Sequence, residues 1–280
     1  MILDQPVADG EALERTQGEN EMSIESPKVM VILPTYNERE NVRELVDALF
    51  GLDIRNFHLL IVDDNSPDGT GKIAEEIAQR QIYRGKVNVL HRPQKQGLGP
   101  AYIAGYKRAL ALDAQLIIQM DADFSHQPKY IPQLLEQAAT HDVVVGSRYV
   151  VGGSVDDRWG PIRKLLSWWA NRLYTPSILG IPVRDTTGGF RLFHRDCLVG
   201  LDLDRIKANG YVFQVEVIYV MYKLGYRIKE IPIHFPDRER GVSKMSPSIA
   251  GEAALRVLQI MFRHRDLSPI RRRMAPCDTE

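Results

Sequence analysis

The residues best placed to do chemistry are Asp121-Ala122-Asp123, which follow the apolar run LIIQM. At the end of an extended strand, side chains two positions apart project to one side, so both carboxylates can face one ligand. Hard oxygen donors at this spacing suit Mg²⁺ or Mn²⁺, ions commonly held by one or two carboxylates together with substrate phosphates. The chemistry this predicts is neutralisation of a diphosphate leaving group. Aspartates are also favoured in solvated turns; what separates the two readings is position at the carboxyl end of a strand, where open α/β sheets bind their ligands.

Other acidic and aromatic residues occupy equivalent places. Pro34-Thr35-Tyr36-Asn37-Glu38 follows the first apolar run and offers a ring, a carboxylate and, in Asn37, a helix N-cap. Val62-Asp63-Asp64-Asn65-Ser66-Pro67-Asp68-Gly69 follows the second, with Asp68-Gly69 reading as turn chemistry. Arg148 follows DVVVGS and so points at the same crevice, and the basic stretch from Arg238 to Lys244, interleaved with Gly241 and Ser243, suits phosphate. His126 lies near the carboxylates without a role of its own, whereas His58, His91 and His234 fall inside strand patterns and read as structural.

Two phosphate signatures fail. Gly97-Leu98-Gly99 begins like a dinucleotide fingerprint, but Tyr102 stands where a third glycine must let helix and strand approach. Gly71-Lys72 lacks both the leading glycine, replaced by Ser66, and the following hydroxyl, replaced by Ile73. A Rossmann dehydrogenase and a P-loop kinase are thereby disfavoured.

The elements that must position these residues alternate from Lys28 onward. KVMVIL, HLLIVDD, KVNVLHR, QLIIQMDAD and DVVVGSRY read as strands, separated by helical periods beginning at Glu38, Ile73, Ala101 and after Pro128. Such alternation predicts an α/β fold with a mainly parallel central sheet and helices on both faces. Residues 150–189 read as irregular; a strand FRLF, a helix over 211–224, a strand YRIKEIPIHF and a packing helix over 246–262 follow.

The 280 residues are 44% hydrophobic and 26% charged, enough for one large core, and their net charge of zero gives no reason to expect nucleic acid as a partner. Residues 1–26 read as a disordered acidic tail and 264–280 as a short basic flexible tail around a domain spanning 27–263. Cys197 and Cys277 have neither zinc nor disulfide spacing, which fits a reducing cytoplasm. No secretory leader and no run of about 18 apolar residues is visible, so peripheral membrane attachment is the form of association to expect.

PTYNEREN at 34–41, VDDNSPDGT at 62–70, MDADFSHQPKYIP at 120–132, GSRY at 146–149, DTTGGFRLF at 185–193, GYVFQVE at 210–216 and RERGVSK at 238–244 together resemble the dolichol-phosphate (polyprenol-phosphate) mannosyltransferases, a branch of the family-two glycosyltransferases of GT-A type. The resemblance runs in order from Pro27 to Phe262 and implies a Rossmann-like GT-A fold. It also implies inverting transfer of mannose from GDP-mannose to dolichyl or polyprenyl phosphate at the cytoplasmic face of a membrane. By the same resemblance Pro34, Tyr36, Glu38, Val62 and Asp64 hold guanosine, and Asp121, Ala122 and Asp123 meet the diphosphate and the Mg²⁺ or Mn²⁺. Arg148, Arg238 and Lys244 close on phosphates. Some relatives carry glutamine at the place of Ser125, where it helps to hold the ion, so Ser125 is a candidate ligand through water. Some relatives append transmembrane helices and others use a small membrane subunit. Here Trp159, Ile162, Leu165, Leu166, Trp168 and Trp169, with Arg158, Arg163, Lys164 and Arg172, offer an interfacial helix toward a membrane surface. The alternatives are the same fold using UDP-glucose or another acceptor, and a non-catalytic subunit that binds nucleotide sugar.

Overall fold

A computed structural model describes residues 26–237 and 247–271, with side chains throughout except at 247–254. The chain runs β1 (Val29–Thr35), α1 (Val42–Phe50), β2 (Phe57–Asp63), α2 (Thr70–Gln79), β3 (Val87–His91), α3 (Leu98–Ala111), β4 (Leu116–Gln119), α4 (Ile131–Ala138), β5 (Val143–Ser147) and β6 (Ser154–Val155). It continues through α5 (Pro161–Trp169), α6 (Thr175–Leu179), β7 (Arg191–His194), α7 (Arg195–Gly200), α8 (Tyr211–Lys223), β8 (Ile228–Pro232), β9 (His234–Phe235) and α9 (Pro247–Arg263).

Seven strands form one sheet in the order β3-β2-β1-β4-β7-β5-β8. β7 runs antiparallel to both of its neighbours, and the other pairings within the sheet are parallel. Strands such as VMVIL in β1 and LLIV in β2 are apolar at every position because helices cover both faces of the sheet, and all nine side chains are buried. One core layer packs α1, α2 and α4 on one face; the other packs α3, α7, α8 and α9 on the opposite face.

The chain winds outward from β1 in both directions, to β2 and β3 on one side and to β4 on the other. A crevice therefore opens at the carboxyl ends of β1 and β4, the switch point at which such sheets take ligands. The expected strand after Tyr226 is broken in two: β8 stays in the sheet, while β9 pairs in parallel with β6 beside the crevice. Residues 150–189, irregular in pattern apart from the helix expected around 159–172, fold into β6, α5, a π-helical turn at Ala170–Tyr174, and α6. Pro161 opens α5 at the position where a missing N–H costs nothing.

The expected carboxyl-terminal tail is shorter than its proposed bounds, since His264 is fully buried and Leu267 nearly so. His264 donates from Nε2 to the buried Glu216 carboxylate at 2.8 Å, and that bond draws residues 264–267 onto the domain. Residues 1–25 and 272–280 lie outside the described residues. Among the described residues no helix is long and apolar enough to cross a membrane.

Candidate active site

A cavity of about 450 Å³ opens at the switch point. Of the sequence-predicted site residues it brings together Pro34, Tyr36, Glu38, Asp64, Asp121, Ala122, Asp123 and Arg148. Val62 is excluded: its side chain is fully buried in the core layer beneath α3, so only its backbone lies near the strand end. Arg238 and Lys244 lie outside the described residues.

The first two motifs are stitched to each other. The backbone N–H groups of Asn37, Glu38 and Arg39 donate to the side chains of Ser66, Thr70 and Asp68 at 3.0 to 3.2 Å. Asn37 takes a left-handed φ of 61°, which delays α1 to Val42, so Asn37 is not the helix cap that its type suggests. Asp68 closes the turn that leads into α2, one residue before the N-cap Gly69, accepting from the Thr70 N–H at 2.9 Å and from its hydroxyl at 2.6 Å. Asp64 is paired with Arg92, whose other guanidinium nitrogen donates to Gln96 at 2.8 Å. Lys95 sits 3.5 Å above the Tyr36 ring. Lys95 was not singled out from sequence, although it follows β3 at the same end of the sheet as the other motifs.

At the end of β4, Met120 and Ala122 are buried while Asp121 and Asp123 are partly exposed in the cavity, which is the alternation the strand end predicts. Both carboxylates are oriented by neighbours. Tyr102 donates to Asp121 Oδ1 at 2.7 Å. Burial, together with the Asp121 charge, pushes the Tyr102 phenol well above its ordinary value, so it remains a donor. His126, fully buried and stacked on Phe190, accepts the Asp121 N–H at Nδ1 (2.9 Å), which puts any single ring proton on Nε2. Burial lowers its basicity, with Asp121 and Asp123 opposing. Ser125 is not placed as a metal ligand. It is nearly fully buried behind Asp123, to which it donates both its hydroxyl and its N–H, because Phe124 adopts a left-handed φ of 60° and turns the chain inward.

Two carboxylates facing a cavity fit Mg²⁺ or Mn²⁺ in the way these ions are usually held, with water and substrate phosphate completing the shell. Among the described residues no group of three acidic, histidine or cysteine side chains offers a complete protein cage. Asp121 and Asp123 would hold the ion, and His126 has Nδ1 already engaged by the Asp121 N–H.

Arg148 lines the cavity but does not stand free in it. Its Nε and Nη2 form a fork on Asp185 at 2.8 and 2.7 Å, its backbone N–H adds a third bond to the same carboxylate, and Nη2 also reaches Thr187. Burial disfavours the guanidinium charge, but the Asp185 field and hydrogen bonds outweigh this and hold Arg148 above its ordinary value. Burial likewise opposes ionisation of Asp185, and Arg148 outweighs it, leaving the carboxyl below its ordinary value. The pair braces the loop 185–189. Asn171, turned inward by the π-helical turn, braces it from the other side through Thr186 and Thr187. Asp185, Asn171 and Tyr102 were not identified from sequence.

The rim is helical. Leu166, Trp169 and Tyr174 line the cavity, while Ile162, Leu165, Trp168 and Leu173 face solvent at 43–71% exposure. Trp159 does not share this exposed face: it is buried against Phe235 with the Arg163 guanidinium 3.6 Å over its ring.

The family profile described as Glycosyl transferase family 2 matches residues 30–200. Over 234 residues the chain is 45% identical to the undecaprenyl-phosphate mannosyltransferase of Micrococcus luteus, covering 82% of this chain and 92% of that protein. It is 40% identical over 254 residues to the polyprenol monophosphomannose synthase of Mycolicibacterium smegmatis, covering 90% and 94%. Its fold is similar to that of mannosyl-3-phosphoglycerate synthase from Rubrobacter xylanophilus, with TM-score 0.62 and 19% identity over 85% of this chain and 75% of that one. It is similar also to glucosyl-3-phosphoglycerate synthase from Mycobacterium tuberculosis, solved with Mn²⁺, UDP and glucosyl-3-phosphoglycerate, with TM-score 0.57 and 18% identity over 85% and 80%. The paired aspartates at the mouth of a GT-A-type sheet, the matched profile and these two close relatives have one common explanation: the chain belongs to glycosyl transferase family 2 and is a glycosyltransferase of its polyprenyl-phosphate mannosyltransferase branch.

Proposed function

We propose that the enzyme transfers mannose from GDP-mannose to a polyprenyl phosphate, with inversion at the anomeric carbon. The observation that carries this reading is one cavity combining two unlike walls: the Asp121/Asp123 pair at the strand ends and an apolar rim of Leu166, Trp169 and Tyr174. The first suits a diphosphate and its cation, the second an isoprenoid chain. The names of the two relatives support this choice of sugar and acceptor.

In the proposed reaction an acceptor phosphate oxygen forms the new bond to the anomeric carbon. The bond from that carbon to the diphosphate breaks, and its electron pair leaves on GDP. A phosphate monoester is largely ionised at neutral pH, its second pKa being about 6, so no strong general base is required. Tyr36 and Glu38 form the nucleoside end of the cavity, with Lys95 over the Tyr36 ring. Asp121 and Asp123 would hold a divalent cation, whose charge would offset that of the departing diphosphate. On sequence resemblance Arg238 and Lys244 contact the phosphates. Arg148, committed to Asp185, acts by fixing the 185–189 wall and contributing field. Positioning and charge stabilisation then supply most of the acceleration.

The exposed Ile162, Leu165, Trp168 and Leu173 form the membrane-facing side of α5 and the turn after it, with Lys164, paired with Asp157, and Arg172, bonded to the Tyr149 carbonyl, nearby for anionic headgroups. We place the enzyme at the cytoplasmic face of a membrane, docked by this helix. Flotation of the chain alone with anionic vesicles is the result this reading expects; failure to float would assign docking to a small membrane subunit.

The test of function is transfer of labelled sugar from GDP-mannose, UDP-glucose and related donors to short polyprenyl phosphates. Mannosyl transfer from GDP-mannose in the presence of Mn²⁺ or Mg²⁺ is expected. Preferential transfer from UDP-glucose would overturn the donor assignment, and metal-dependent GDP-mannose binding without transfer to any polyprenyl phosphate would favour a non-catalytic subunit.

A further inference from the structure

The Gly97-Leu98-Gly99 sequence does not complete a dinucleotide fingerprint, yet both glycines are sterically required. Gly97 has φ +100°, and a β-carbon built there would meet the Asn209 amide at 2.4 Å; one built on Gly99 would lie 2.7 Å from the Ala208 carbonyl oxygen. The start of α3 is thus pressed against the loop 206–210, and Asn209 fastens it there. Its Oδ1 accepts from the Gly99 N–H at 3.1 Å, and its Nδ2 donates to the Gln96 carbonyl at 2.8 Å.

That loop in turn hangs on Glu216, a fully buried carboxylate in α8. Oε2 accepts from the N–H groups of Lys207 and Ala208 at 2.9 and 2.6 Å, and Oε1 accepts from Arg263 and His264 at 2.7 and 2.8 Å. One turn into α3 stands Tyr102, fully buried, its ring parallel to Phe213 with centroids 6.0 Å apart, and its hydroxyl on Asp121 Oδ1. A phenol packed in this way gives up no further rotamer freedom when a ligand arrives. Its bond pins one oxygen of Asp121 and leaves the other for a cation. We propose that Tyr102 is the positioning residue for Asp121, and that the junction of Gly97, Gly99, Asn209 and Glu216 sets where Tyr102 stands.

This inference rests on the reading of Asp121 and Asp123 as the cation site. Partners of this kind, which orient a metal ligand, change metal affinity by about 10- to 100-fold when removed. The experiment measures free Mn²⁺ by electron paramagnetic resonance as the full chain is titrated at saturating GDP, for wild type, Tyr102→Phe and Asp123→Ala. Tyr102→Phe keeps the ring and removes only the hydroxyl. It is expected to weaken Mn²⁺ binding about 10-fold or more, and to raise by a similar factor the Mn²⁺ concentration that gives half-maximal turnover. Wild-type Mn²⁺ affinity in Tyr102→Phe, beside its loss in Asp123→Ala, overturns the inference and leaves the cation site standing. Wild-type affinity in Asp123→Ala overturns the cation site itself. Should Tyr102→Phe fail to fold, Asn209→Ala, which lies outside the cavity lining, is read on the same scale: weakened Mn²⁺ binding supports the inference and unchanged binding overturns it.

Discussion

At the sheet end of the cavity the acidic side chains are tethered before any ligand arrives: Asp121 by Tyr102, Asp123 by Ser125, Asp64 by Arg92 and Glu38 by Asn41, while Arg148 is held by the buried Asp185. At the helical rim Ile162, Leu165, Trp168 and Leu173 stand in solvent. The contrast follows from what each half must meet. A diphosphate and its cation are small and highly charged, and are stabilised only by groups already aimed at them, in a site where water cannot screen the interaction. A polyprenyl chain or a bilayer surface offers area without directional bonds, so it needs exposed apolar surface and little geometry. Substitutions at the sheet end should therefore act on turnover and folding, and those at the rim on membrane binding.

The largest effect should come from Asp123→Ala. Turnover at saturating metal should fall by about 10³-fold or more, as when a principal charge-stabilising group is lost, while the melting temperature stays near wild type. Near-normal turnover would remove the sheet end from the chemistry.

Next comes Asp185→Asn. It leaves the buried Arg148 charge without its partner, and the loss of half a buried ion pair costs about 3–5 kcal/mol in urea unfolding at pH 7. The pH dependence gives the sign. Asp185 is held below the ordinary carboxylate value of 3.8 in the folded protein. Its contribution is therefore fully present above about pH 4 and is lost as the pH falls through the depressed folded value. The gap between wild type and Asp185→Asn should accordingly shrink on acidification from pH 4 downward. A gap that widened would contradict the assignment of the charge.

At the rim, the double substitution Leu165→Glu and Trp168→Glu should weaken binding to anionic vesicles by about 10-fold or more, since burying one such side chain stabilises by about 1.5–3 kcal/mol. Transfer to a short, water-soluble acceptor should stay within about two-fold of wild type. Loss of the soluble reaction as well would erase the proposed division of labour. The smallest effect should come from a place belonging to neither half: Arg43 pairs with Glu76 on the surface, both side chains well exposed, and Arg43→Ala should change unfolding free energy by no more than about 1 kcal/mol.

Sequence made the sheet end legible because its information is local. An apolar run names the strand, alternation places Asp121 and Asp123 on one side, and the parallel-sheet rule locates the crevice. What it did not reveal depended on backbone turns and distant partners. The left-handed φ of Asn37 and Phe124 moved a helix start and turned Ser125 behind Asp123. Arg148 lies 37 positions from Asp185, and no periodic pattern marks such a pairing. Beyond the helix expected around 159–172, residues 150–189 read as irregular because the π-helical turn at 170–174 breaks the helical period, and the same turn carries Asn171 inward to the loop it braces. Tyr102 was legible only as a residue that spoiled a glycine motif, although it is the donor that holds Asp121.

The most direct measurement is calorimetric titration of GDP-mannose into wild type and into Asp121→Asn/Asp123→Asn, each with and without Mn²⁺. Binding to wild type should tighten when Mn²⁺ is present, and the double variant should show no such gain. An equal Mn²⁺-dependent gain in both proteins would contradict the claim that these two carboxylates hold the cation against the diphosphate.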